Sequence, residues 1–275
     1  MSILQAILLG VVQGLAEFLP ISSSGHLMLL EQVFSMQIDE NVLMLVTVLL
    51  HVGTLFAVAV VFWSDWMDIL KNLFHSKTLL LLIIASMPAL VVKVVLGDLF
   101  DALNAGGLLG VFFIVTAVLL WLAERLSAQG RHTKKEGVVN YKHALAMGGC
   151  QAVGMLTGIS RSGSTIFGGV ATGLPRYTAA KFSFLMSAPA ILGGLLVEGH
   201  DAIEAGAMSY LGANILPIVV GVVCAAVCGY LAIRYMLKLI NRISFNWFAL
   251  YMLLLGIGTI IMQIVGVGDL KPVGL

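Results

Sequence analysis

Two short runs of small hydroxyl residues interrupt otherwise apolar sequence: Leu19-Pro20-Ile21-Ser22-Ser23-Ser24-Gly25-His26 and Gly158-Ile159-Ser160-Arg161-Ser162-Gly163-Ser164-Thr165. In the first, proline suits a helix start, and the serines can cap the free backbone N–H groups there. His26 lies three residues from Ser23 and four from Ser22, so on a helix it shares a face with either. A hydroxyl beside an imidazole is an arrangement for an activated nucleophile. The same residues also suit a capped half-helix with a buried, hydrogen-bonded histidine.

Upstream, Gln13 and Glu17 sit four apart in an apolar stretch. An ionisable group there is expensive and is a functional candidate by default. Glu17 can accept a proton, orient His26, or hold a divalent cation through a carboxylate oxygen. Capping backbone groups in a water-filled vestibule is the plainer alternative.

The second run combines glycines, which let backbone approach a ligand, with several hydroxyl donors. Arg161 is the one arginine embedded in apolar sequence. Its planar fork matches phosphate oxygens bidentately; a structural ion pair with Glu17 is the other reading. Glu17, Ser23, His26 and Arg161 are therefore the candidate catalytic residues. Gln13, Ser22, Ser24, Ser160, Ser162 and Thr165 are the candidate substrate contacts. His51, Thr54 and Lys93 read as packed or snorkelling residues, and Cys150, Cys224 and Cys228 as small buried hydrophobes.

The elements that must position these residues are set by composition. Of 275 residues, 60% are hydrophobic and 11% charged, whereas a soluble domain carries about 25% charged residues. Lipid must be the solvent, which predicts an all-α polytopic membrane protein. Windows of about 20 apolar residues mark spanning helices, and six are expected, at roughly 42–63, 79–96, 107–123, 178–198, 213–236 and 246–267. The two remaining apolar segments, 3–33 and 144–173, contain the Ser-rich breaks and read as re-entrant helical hairpins.

Basic residues mark cytoplasmic loops. Lys71, Lys77, Arg125, Arg131, Lys134, Lys135, Lys142, Arg176, Lys181, Arg234, Lys238 and Arg242 all fall on one side. Asp39, Glu40, Asp98, Asp101, Glu198, Asp201, Glu204 and Asp269 fall on the other, which is expected to face outward.

The two broken segments match at an offset of 138 residues, pairing Gln13 with Gln151, Ile21 with Ile159, Ser22 with Ser160, Ser24 with Ser162 and Gly25 with Gly163. With three spans in each half, the second half starts on the opposite side, giving an inverted-topology repeat. Such folds aim half-helix N-termini at an anion near the midplane. One integral-membrane domain over 1–275 is expected: half one at about 1–126, a cytoplasmic loop at about 127–142, and half two at about 143–270.

On the residues from Gln13 to His26 and from Gly158 to Ile166, the chain closely resembles the undecaprenyl-diphosphate phosphatase family of bacitracin-resistance type. Weaker echoes occur in Gly53 to Trp63, in Phe182-Ser183-Phe184-Leu185 with Pro189, and in Arg242-Ile243-Ser244-Phe245. The resemblance implies hydrolysis of undecaprenyl diphosphate to the monophosphate carrier used in cell-wall synthesis. It also implies a divalent cation, Mg²⁺ or Ca²⁺, as cofactor and a polyprenyl diphosphate lipid as substrate. By position, the family's acidic motif falls on Gln13 and Glu17, its candidate nucleophile on Ser23 and its histidine on His26. Its phosphate-clamping residues fall on Ser160, Arg161, Ser162 and Thr165.

Two departures stand out. Gln13 replaces a second glutamate found in many members. Thr157 stands where a proline usually opens the second motif, so a less rigid helix start is expected there. The expected location is the bacterial plasma (inner) membrane, multi-pass, with the site open to the periplasmic or outer face. Nucleic acid is not an expected partner, and a homodimer is left open. A flippase or transporter for the lipid carrier or a small anion is the alternative function, since inverted repeats also serve alternating access.

Overall fold

The computed structural model describes the chain except residues 35–39, 128–136, 205, 207–209, 211–213, 271 and 274–275. Among the described residues there are helices and turns and no strand. Six helices are long and apolar enough to cross a bilayer: α3 (Glu40–Val61), α5 (Lys77–Leu103), α6 (Leu109–Leu126), α9 (Arg176–Glu204), α10 (Ile215–Leu239) and α11 (Phe245–Val265). All six fall on the expected windows, and the molecule is an all-α multi-pass membrane protein. The loop expected at about 127–142 lies largely outside the described residues, as do Asp39, Arg131, Lys134 and Lys135.

The two broken segments are helix pairs: α1 (Ile3–Phe18) with α2 (Ser23–Val33), and α7 (Tyr141–Val153) with α8 (Arg161–Ala171). A further helix, α4 (Trp63–Lys71), lies where the first spanning window was expected to end. Phe62, at φ −104° and ψ 30°, breaks α3 from it. Asp65 of α4 then pairs with Lys181 of α9 at 2.7 Å. α5 likewise outruns its window: Leu96 is non-helical (φ −121°, ψ 24°), the helix resumes to Leu103, and Lys93 and Asp101 pair across the break at 2.8 Å.

Much of the packing follows the repeat, although α2 makes no comparably extensive counterpart of the α8·α6 and α8·α9 contacts. With α1 matched to α7, α2 to α8, α3 to α9, α5 to α10 and α6 to α11, the α1·α10 contact has its counterpart in α7·α5, and α3·α10 in α9·α5. The α6·α11 and α3·α9 contacts map onto themselves. Small residues make these approaches possible, as between membrane helices generally. A Cβ on Gly10 would collide with the Gly221 carbonyl, and one on Gly148, the residue 138 positions later, with the Ala85 carbonyl. Gly110 and Gly256 face each other across α6·α11, each within 2.8 Å of the other's carbonyl oxygen once a Cβ is added.

Candidate active site

Both breaks are built by a serine N-cap. Ser22 accepts from the Gly25 amide at 3.3 Å and Ser160 from the Gly163 amide at 3.0 Å, the same hydrogen bond 138 residues apart. Each cap uses one first-turn amide, and the earlier ones, at Ser23 and Ser24 or Arg161 and Ser162, have no carbonyl behind them within their helix. Such N-termini favour an anion. Ser22 has φ 68°, a conformation costly for a residue with a Cβ and commonest where function demands it.

The breaks meet. A Cβ on Gly25 would lie 2.9 Å from the Gly158 Cα and would collide with the Phe113 ring. Ser162 Oγ donates to the Leu19 carbonyl at 3.1 Å. At the junction, Arg161 of the second half forms an ion pair with Glu17 Oε1 of the first. The other carboxylate oxygen, Oε2, accepts from Ser23 Oγ at 2.6 Å and from Gln13 Nε2 at 3.1 Å. Glu17 and Gln13 are buried, at 6% and 0% exposure, so the pair sits where water screens it little.

His26 is held apart from Ser23. Its Nδ1 is 2.7 Å from the Ser22 carbonyl, which can only accept, so Nδ1 carries the proton. In the neutral ring, Nε2 then accepts from the Tyr251 hydroxyl at 2.7 Å. Of the two proton acceptors that the spacing offered Ser23, the resting geometry brings Glu17. Ser160 Oγ lies 3.2 Å from Ser162 Oγ, and Thr165 Oγ1 2.6 Å from Ser183 Oγ. Ser24 is half-buried on the first turn of α2.

Gln13 Oε1 is buried with no hydrogen-bond partner among the described residues. An amide oxygen left in this way beside a carboxylate is a donor set suited to a hard divalent cation that takes its remaining ligands from phosphate and water. Among the described residues no three His, Cys, Asp or Glu side chains gather into a self-sufficient metal site.

The family model described as "Bacitracin resistance protein BacA" matches residues 6–258. The chain belongs to this family. A Carboxydothermus hydrogenoformans protein named "Undecaprenyl-diphosphatase" is 38% identical over 267 residues, 97% of this chain and 99% of its own. "Undecaprenyl-diphosphatase 4" of Bacillus thuringiensis subsp. konkukian is 40% identical, covering 96% of this chain and 98% of its own. "Undecaprenyl-diphosphatase" of Methanosphaera stadtmanae is 35% identical, with 96% and 99% covered.

The structure explains one departure from the BacA family pattern. Thr157, in the place of the usual proline, donates its amide to Asn104 Oδ1 at 2.8 Å, a bond that proline cannot make. That bond anchors the turn through a distant loop.

Three residues near the site carry no local sequence signal of a role there. Thr116 of α6 accepts from the Ser160 amide at 3.0 Å and lies 3.1 Å from the Gly158 carbonyl, fixing the second break. His51 Nε2 stands 3.6 Å from Glu17 Oε2, so this histidine, read as a packed residue, borders the site. Tyr251 comes from α11. Polar residues on mid-helix faces were the available signal; which face meets the site depends on packing.

Proposed function

We propose that this BacA-family protein hydrolyses undecaprenyl diphosphate to undecaprenyl phosphate and inorganic phosphate, recycling the lipid carrier for cell-wall synthesis in the bacterial plasma membrane. The observation that carries this reading is Ser23 Oγ donating to Glu17 while Arg161 of the other half holds the opposite carboxylate oxygen. A hydroxyl on a general base, with a guanidinium and two helix N-termini beside it, suits phosphoryl transfer. The relatives' printed names agree with that chemistry.

Arg161, Ser160, Ser162 and the first-turn amides of α2 and α8 hold the diphosphate and stabilise the charge that develops in the transition state. Ser23 Oγ attacks the terminal phosphorus and its proton passes to Glu17 Oε2. The bond from phosphorus to the bridging oxygen breaks, and undecaprenyl phosphate leaves. Water then attacks the phosphoserine, inorganic phosphate departs, and Ser23 regains a proton. His26 is fixed by Ser22 and Tyr251 near the N-terminus of α2. A divalent cation, Mg²⁺ or Ca²⁺, would be held by Gln13 Oε1 and Glu17 together with substrate oxygens, and would supply charge neutralisation. The acidic loop residues support access from the outer face.

Purified protein in detergent should release phosphate from undecaprenyl diphosphate without any membrane gradient, and chelator should abolish the release. Ser23→Ala should lower kcat by at least about a thousandfold, and Glu17→Gln by about a hundredfold or more. Tight lipid binding with no phosphate release from the wild type would instead favour the transporter.

A further inference from the structure

The two breaks carry the same caps on different backbones. Ser160 holds an ordinary extended conformation, φ −72° and ψ 115°, whereas Ser22, 138 residues earlier, stands at φ 68° and ψ 95°. A residue with a Cβ stays in that region only where its surroundings hold it there. The strained residue directly precedes Ser23, so the direction of the Ser23 hydroxyl depends on whatever holds Ser22.

The hold comes from four residues further on. The Ser22 carbonyl accepts from the His26 amide at 3.2 Å and from His26 Nδ1 at 2.7 Å. In the other half Ser164, 138 positions after His26, plays the same part: its amide and its hydroxyl both lie 2.8 Å from the Ser160 carbonyl. A serine therefore suffices where the backbone is relaxed. The imidazole is longer than a hydroxyl, and its far nitrogen, Nε2, ends on the Tyr251 hydroxyl at 2.7 Å.

Tyr251 is a firm end for this chain of bonds. Its ring stacks on the imidazole, with 5.7 Å between centroids and 16° between planes, and Phe113 of α6 lies 5.6 Å from the same imidazole. α11 is itself seated on α6 through Gly110 and Gly256. α6 also carries Thr116, which accepts from the Ser160 amide. The α6·α11 pair thus braces both breaks, the second through Thr116 and the first through Tyr251 and His26. Support of this kind, from side chains on packed helices, is what holds a reacting group in its productive geometry.

We infer that Tyr251 is a positioning residue for the nucleophile: by holding His26 Nε2 it keeps Nδ1 on the Ser22 carbonyl, keeps Ser22 in its strained conformation, and so keeps Ser23 Oγ on Glu17. The inference rests on the phosphatase reading above and adds α11 to the elements which that reading uses. In this role Tyr251 exchanges no proton and touches no substrate; its hydroxyl acts through the imidazole.

Tyr251→Phe keeps the stacked ring and removes the hydroxyl, and thermal midpoints in detergent check that the fold is retained. With undecaprenyl diphosphate, kcat should fall about tenfold while KM stays within about twofold, because a displaced nucleophile weakens the transition state and leaves substrate binding alone. Orthovanadate becomes five-coordinate on a nucleophile and so resembles the transition state; it should inhibit the variant about tenfold less well, with inhibition by inorganic phosphate unchanged. Glycine adopts a positive φ without strain, so in a Ser22→Gly background the loss of the Tyr251 hydroxyl should cost about twofold or less in kcat. Undiminished kcat in Tyr251→Phe, a loss confined to KM, or a lowered thermal midpoint with vanadate and phosphate inhibition in their wild-type ratio would overturn the positioning role. Equal losses in the two backgrounds would overturn it as well, since Tyr251 would then not act through Ser22. Wild-type protein that releases no phosphate would overturn the phosphatase reading instead.

Discussion

Glu17 is the residue on which the others depend, because its two oxygens face different partners. Arg161 takes one, and Ser23, Gln13 and the edge of His51 share the other. When a diphosphate arrives, the guanidinium can turn from carboxylate to phosphate without leaving the cluster, since the α8 N-terminus already brings it there. That exchange needs a planar fork. Arg161→Lys keeps the charge but presents a compact ammonium, and should lose about a hundredfold in kcat while still binding substrate. Near-normal turnover in steady-state phosphate release would remove Arg161 from the clamp.

At this scale the sequence was informative wherever chemistry is local. Ser22 is legible as a cap because an N-cap acts within one helical turn, and Ser160 is its match at an offset of 138. Tyr251, Thr116 and His51 were not, because each reaches the site from a helix whose facing depends on its neighbours.

Among elements, α1 carries Gln13 and Glu17 and is positioned by its seat on α10. A Cβ on Gly14 would lie 2.6 Å from the Ala225 carbonyl oxygen and 2.8 Å from the Gly229 amide nitrogen, and backbone cannot yield as a flexible side chain does. Gly14→Leu should therefore push α1 away from α10, costing about 1–3 kcal/mol and displacing Glu17 from Ser23. Gly149 on α7 meets nothing within 4 Å, so Gly149→Ala should be neutral or stabilise by about 0.5–1 kcal/mol. Thermal midpoints in detergent, read beside phosphate release, check both; equal behaviour of the two glycines would refute the account of helix seating. Element lengths show where sequence reading stops. The windows located six spans because lipid demands long apolar runs, but α4 and the far end of α5, where Asp65–Lys181 and Lys93–Asp101 pair, lie beyond those windows, and composition does not reveal them.

For the whole molecule, the repeat places half of the site in each half of the chain. Glu17 and Ser23 come from the first, Arg161 and Ser160 from the second, and the ion pair across the junction is mostly buried, with side-chain exposures of 3% for Glu17 and 22% for Arg161. Removing one partner strands the other charge, whereas replacing both by neutral groups of similar volume often restores stability. Glu17→Gln alone should thus cost about 3 kcal/mol as well as activity. Adding Arg161→Met should recover most of the thermal midpoint and none of the phosphate release. That combination separates an ion pair kept for catalysis from one kept for folding. If the double variant stays as unstable as Glu17→Gln, the pair holds the halves together in its own right, and the junction owes its geometry to folding before it owes it to chemistry.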